Sequence, residues 1–223
     1  MKKYLLSVLA LGATMLMACN PDDNKGNEPE PEVKPDWTLS TNIMGGILAL
    51  YGDDYEIGLN DCVLELDAVN LDAEGNPVSM GLLFVEYLCA LDNTTGLGSF
   101  TSAGPDWITG ENLQPNTYFP GIEVEGNPES IYGSIYMEMD IATEAITVAE
   151  GIVDGTLTVS KSGDNYVVKG IFKTGNNKVV KVDYTGALEV TDKTEEGGAA
   201  PLSTKKVVRI GKPASSFAKF LKK

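Results

Sequence analysis

Apolar and polar residues alternate along much of the chain, most cleanly between residues 155 and 184. Gly155-Thr156-Leu157-Thr158-Val159-Ser160 changes character at every step. That period of two is the geometry of a half-buried strand. Ser162-Gly163-Asp164-Asn165 is a turn sequence. Tyr166 to Lys173 then predicts a second strand, with Tyr166, Val168 and Phe172 on one face and Lys169 and Lys173 on the other. Thr174-Gly175-Asn176-Asn177 is a second turn, and Lys178 to Tyr184 a third strand. Two glycine-containing turns between alternating runs predict a three-stranded meander.

An earlier hairpin is nearly as clear. Cys62 to Ala68 is one strand, Asn70 to Pro77 a turn rich in Asn, Asp and Gly, and Met80 to Leu91 the partner. Ile43 to Tyr51 and Tyr132 to Met139 predict two more strands. Ile141 to Ile152 suits either a helix, by its Ala and Glu, or a strand, by Ile146-Thr147-Val148. Beyond Thr191, Lys205 to Ile210 fits an added strand. Phe217, Phe220 and Leu221 share one face of a short terminal helix. Short apolar runs separated by Gly, Asn, Asp and Pro predict a single antiparallel all-β domain over residues 37–190, a sandwich or a barrel, followed by a basic extension, 191–223.

The start of the chain breaks this pattern. Met1-Lys2-Lys3 is basic, and Tyr4 to Met17 is almost wholly apolar. At about fourteen residues it falls short of the roughly 20 that a spanning helix needs, so it reads as an export signal. It ends in Leu16-Met17-Ala18-Cys19, which resembles the lipobox of bacterial lipoproteins. The resemblance implies removal of residues 1–18 and acylation, palmitate included, of Cys19. Residues 19–36 are acidic and Pro-rich, without apolar periodicity, and predict a flexible hydrated tether. Acids close behind the lipidated Cys are similar to the surface-export signal of Bacteroidota lipoproteins. The expected location is therefore the outer membrane, lipid-anchored and facing the cell exterior. Tyr51-Gly52-Asp53-Asp54-Tyr55, Asn116-Thr117-Tyr118, Gly155 to Asp164, and Tyr184-Thr185-Gly186-Ala187-Leu188 also resemble a group of Bacteroidota lipoproteins of uncharacterised activity. That resemblance implies a β fold and carries no site residues.

Charge and composition narrow the function. The chain of 223 residues holds 32 acidic and 17 basic residues, and no His. Without His there is no Ser-His-Asp or Cys-His catalysis and no His-ligated zinc. A net charge of −15 repels nucleic acid. The 126 residues from Pro35 to Ser160 hold 21 acids and no Lys or Arg, whereas Lys161 to Lys223 hold 13 basic and 6 acidic residues. This describes a solvated acidic face with a basic end, or an acidic surface built for a basic partner or cations.

Four groups of residues invite chemistry. Cys62 and Cys89 remain as an even pair in an oxidising compartment. A turn centred on Gly75-Asn76 would set them opposite each other, as a disulfide or as two buried thiols. The same register opposes Glu65 to Glu86 with Asp67 diagonal, an arrangement that needs a cation, a shifted register or splayed side chains. Asn70 to Gly75 starts like a calcium loop, but position twelve is Gly81 rather than the bidentate Glu, so a hairpin turn explains it better. Asp106, Trp107, Glu111 and Asn112 form a loop around one of two Trp. An exposed indole beside hydroxyl acceptors would grip a sugar ring; a folded-back one would plug the core. No nucleophile elbow, phosphate loop or dinucleotide fingerprint occurs, and carboxylates are too many for any pair to single out a glycosidase. The expectation is a non-catalytic, cofactor-free surface module that binds a glycan or a protein partner. The alternative is a structural or assembly subunit of a cell-surface complex.

Overall fold

The computed structural model describes residues 34–110, 113–124 and 127–194, and the protein is all-β over these. The strands are β1 (Trp37–Leu39), β2 (Ile43–Gly52), β3 (Leu59–Leu71), β4 (Pro77–Ala90), β5 (Gly98–Ser102), β6 (Thr117–Tyr118), β7 (Ile122–Val124), β8 (Asn127–Tyr132), β9 (Ile135–Asp140), β10 (Ile146–Ser162), β11 (Asn165–Thr174), β12 (Val179–Gly186) and β13 (Glu189–Asp192). One turn of 3-10 helix, Pro105–Thr109, interrupts them.

The meander forms as β10–β11–β12, with Val159 facing Val168 and Val168 facing Tyr184. Tyr166, Val168 and Phe172 are buried while Lys169 and Lys173 are exposed. The stretch 141–152 resolves as a turn followed by strand: β10 begins at Ile146 and pairs with β9. The run Tyr132–Met139 is broken by Gly133, whose φ of 80° separates β8 from β9.

Eleven strands share one sheet in the order β1-β12-β11-β10-β5-β6-β4-β3-β2-β13, with β9 bridging β10 and β4. The sheet curls until its ends nearly meet. β1 lies at the β12 end, β2 near the other, and only Ser40–Asn42 join them. The four steps from Leu39 to Ile43 span at most about 14 Å. The enclosed core collects Leu39, Leu48, Leu64, Leu66, Val85, Tyr87, Phe100, Tyr118, Leu157, Val168, Phe172 and Val180, drawn from strands all around the sheet. Tyr87 packs against Phe100 with ring centroids 4.2 Å apart and planes tilted at 48°, and its hydroxyl donates to the Gly96 carbonyl at 2.9 Å.

Two expectations about the domain change. The sheet is mixed, not purely antiparallel: β1–β12, β5–β6 and β13–β2 are parallel pairs. The domain also outruns residues 37–190 at both ends. The Asp36 N–H donates to the Val179 carbonyl at 2.9 Å, and Glu189–Asp192 pair with β2. The expected strand at 205–210 and the terminal helix lie outside the described residues.

The β3–β4 hairpin carries a third correction. Cys62 faces Tyr87, and Cys89 faces Asn60. The register is displaced by two residues from one centred on Gly75-Asn76. The cause is the turn. The Asp72 carboxylate accepts the N–H groups of Glu74 and Asn76 at 3.0 and 2.8 Å, and the Asp72 N–H donates to the Asn76 carbonyl at 2.9 Å. That closes the loop before Pro77. Proline has no N–H to donate, and the ladder skips Val78 before resuming at Asn70–Ser79. A displacement by two keeps every side chain on its face, so Leu64 and Leu66 still point inward. Of the calcium-loop oxygens, those of Asp72 are thus turn-closing acceptors, while the Asn70 Oδ1 accepts from the Asn42 amide at 3.0 Å.

Candidate functional site

The loop around Trp107 is where sequence and structure meet most closely. Pro105 at the start of the 3-10 turn and the left-handed Gly110 at its end fold the segment back on the barrel, closed by the Gly110 N–H to the Trp107 carbonyl at 2.9 Å. This sends the indole inward. Trp107 is 5% exposed, stacks on Phe119 with centroids 4.6 Å apart and planes at 20°, and donates its Nε1–H to the Pro120 carbonyl at 3.0 Å. Leu88 completes the cluster. Trp107 is therefore a core plug, and the exposed sugar platform is not there. Asp106 is exposed beside it. Glu111 and Asn112 lie outside the described residues.

Behind that plug the backbone builds a cleft. The Gly121 N–H donates to the Ile152 carbonyl at 2.6 Å, the Ile152 N–H to Ser134 at 3.0 Å, and the Gly175 N–H to Gly151 at 3.0 Å. Three segments meet so closely that a Cβ on Gly121 would stand 2.5 Å from the Gly151 Cα. Only glycine allows that approach. Above these glycines opens a cleft of about 500 Å³, walled by Pro105, Pro120, Ile122 and Val153 and flanked by Gly175 and Asn176. The Asn176 amide is held by donating to the Glu150 carboxylate at 3.0 and 3.1 Å. Apolar faces thus stand beside a fixed amide and carboxylate. The sequence marked Pro105 and Asp106 as part of a loop of interest. The rest of the cleft was invisible because its walls come from β7, β10 and the β11–β12 turn, distant in sequence.

The thiol pair is a second candidate. Because the register is displaced, Cys62 and Cys89 are diagonal neighbours, with backbones about 7–8 Å apart rather than directly opposed. Both are buried and free, with Sγ atoms at 3.8 Å. This corrects the directly opposed, disulfide-ready pair. The Cys62 thiol is held far above its ordinary value by its contact with the Cys89 sulfur and then by burial. A protonated thiol is neither nucleophile nor ready oxidation substrate.

The displaced register also separates the carboxylates. Glu65 faces Phe84 and Glu86 faces Val63. The Tyr55 hydroxyl donates to the Glu86 carboxylate, and its ring packs edge-on against Phe119. Glu65, Asp67 and Glu86 are all buried, on the side of the sheet facing away from the barrel core. Among the described residues, no group of three or more His, Cys, Asp or Glu is placed to hold a metal ion.

Comparison with known proteins finds no matching family model, no matching curated protein and no matching solved structure.

Proposed function

We propose that this protein is a lipid-anchored, non-catalytic surface module. Cys19 holds it to the outer membrane, the tether projects the barrel outward, and the cleft beside Pro105, Val153 and Asn176 binds a glycan. The observation that carries the reading is the cleft itself. It sets flat apolar walls against the fixed Asn176–Glu150 pair, the combination that suits a sugar ring with one apolar face and hydroxyls at its edge. Asp106, which follows Pro105, is exposed.

Gly175→Leu tests this. Gly175 is exposed with its backbone in an ordinary conformation, and a Cβ there meets only Val153 at 3.8 Å, so a leucine fills the cleft without disturbing the fold. On a glycan array, the unacylated mature chain should bind a defined subset that Gly175→Leu loses at an unchanged melting temperature. Equal binding by both proteins moves the ligand elsewhere. No binding by either rejects the glycan and leaves a protein partner as the occupant.

A further inference from the structure

The cleft sits among charges of one sign. Its lining from Pro105 to Val153 comes from the 126 residues that hold no Lys or Arg. Three acids stand next to lining residues in the chain. Asp106 follows Pro105, Glu150 precedes Gly151, and Asp154 follows Val153. Asp106 and Asp154 are exposed, and Glu150 is half-buried. Consecutive Cα atoms lie about 3.8 Å apart, inside the screening length of about 8 Å at physiological salt, so these charges are felt in the cleft.

The turn that supplies Gly175 and Asn176 is flanked by two lysines, and both are matched. Lys173 faces Asp154 across the ladder, and the Lys178 ammonium pairs with Asp36 at 3.0 Å. That leaves Glu150. Among the described residues its carboxylate meets only the Asn176 amide, whose one nitrogen lies 3.0 and 3.1 Å from the two oxygens. An ionised carboxylate offers about four acceptor positions, and one amide nitrogen fills two at most. The open positions and the whole negative charge stand beside Asn176, which itself flanks the cleft.

This arrangement ranks the sugars that could enter. A glycan bearing carboxylate, sulfate or phosphate is repelled. A hydroxyl uses the acceptor positions of Glu150 but leaves its charge without a partner. A protonated amine uses both, in a charge-assisted hydrogen bond roughly twice as strong as a neutral one. We propose that the cleft selects glycans with a free, protonated amine, that is, unacetylated hexosamines. Glu150 receives the ammonium group. Asn176 is the positioning residue, because its amide fixes the Glu150 carboxylate. The inference rests on the reading of the cleft as a glycan site and names the sugar chemistry that site favours.

Titration calorimetry on the unacylated mature chain tests it with two probes. The chitosan trisaccharide carries free amines, and the chitin trisaccharide is the same backbone with every amine acetylated. In mildly acidic buffer the chitosan trisaccharide should bind about tenfold or more tightly than the chitin one, as a charge-assisted contact requires. Glu150→Gln keeps the size and one oxygen acceptor, and should make the two bind alike. Glu189→Gln removes the same charge from exposed β13 and should leave the preference intact. Gly175→Leu should remove both complexes. Chitin binding as tightly as chitosan, with both lost in Gly175→Leu, overturns the amine assignment and leaves the glycan cleft standing. A chitosan preference that survives Gly175→Leu, or falls equally in Glu189→Gln, is general attraction to an acidic surface and also overturns it. Binding of neither trisaccharide rejects the amine assignment, and the glycan array separately decides the cleft. The wild-type and Gly175→Leu titrations decide if Glu150→Gln does not fold.

Discussion

Trp107→Ala should destabilise the protein by about 3–5 kcal/mol, the usual cost of removing a buried Trp. The components can be worked from its surroundings. A buried indole removes about 150–250 Å² from water. At about 25 cal/mol per Å², and subtracting what alanine retains, the loss is about 3–4 kcal/mol. The Pro120 carbonyl loses its donor from Nε1, at about 1 kcal/mol. Collapse of the 3-10 turn onto Phe119 returns part of this. For a domain of this size each kcal/mol is about 2–4 °C, so the midpoint should fall by about 6–20 °C. Trp107→Phe separates the two contributions, because it keeps most of the stacking on Phe119 and loses only the donor. Its expected cost is about 1–2 kcal/mol. The assay is reversible thermal or urea unfolding followed by circular dichroism. A Trp107→Ala midpoint within a degree or two of wild type would refute the packing argument, and with it the rigid wall of the cleft.

Cys62 and Cys89 should be unreactive toward a thiol reagent in the native protein and both labelled after unfolding without reductant; a native mass lower by two hydrogens would contradict the free pair. Stability should also fall in acid. The carboxyls of Asp36, Asp72, Asp140 and Asp192 are all held below the ordinary 3.8, chiefly by hydrogen bonds from Val179, Asn76, Thr143 and Thr194. A folded-state value below the unfolded one stabilises above 3.8 and is lost progressively as pH drops through it. Thermal midpoints that rise on acidification through this range would contradict these contacts.

The residues that made the fold legible are those whose two faces differ in environment. Tyr166, Lys169, Phe172 and Lys173 declare their sides because one faces the barrel core and the other water. Met80 to Leu91 carried the opposite signal. Its nearly unbroken apolar run is what a strand buried on both sides requires, and the carboxylates of Glu65, Asp67 and Glu86 obscured it, since charge ordinarily marks a solvated face. Register was harder. It hinges on one carboxylate, Asp72, gathering two N–H groups, and on Pro77 lacking its own, details worth two residues of displacement and the fate of the Cys pair. Trp107 could not be oriented from sequence, because Gly104 and Gly110 permit the loop to face either way and the Pro120 carbonyl that draws the indole inward lies 13 residues on. The cleft had no local signature, since glycines from three segments form its floor.

In the proposed function, acylated Cys19 holds the barrel to a membrane. Several acyl carbons on Cys19, each burying about 0.8 kcal/mol, would anchor the chain stably. In cells labelled with a palmitate analogue, the wild-type protein should partition into washed outer membranes and carry the label. Cys19→Ala should be unlabelled and recovered in the soluble fraction. A Cys19→Ala variant that stays in the washed membranes would contradict the account.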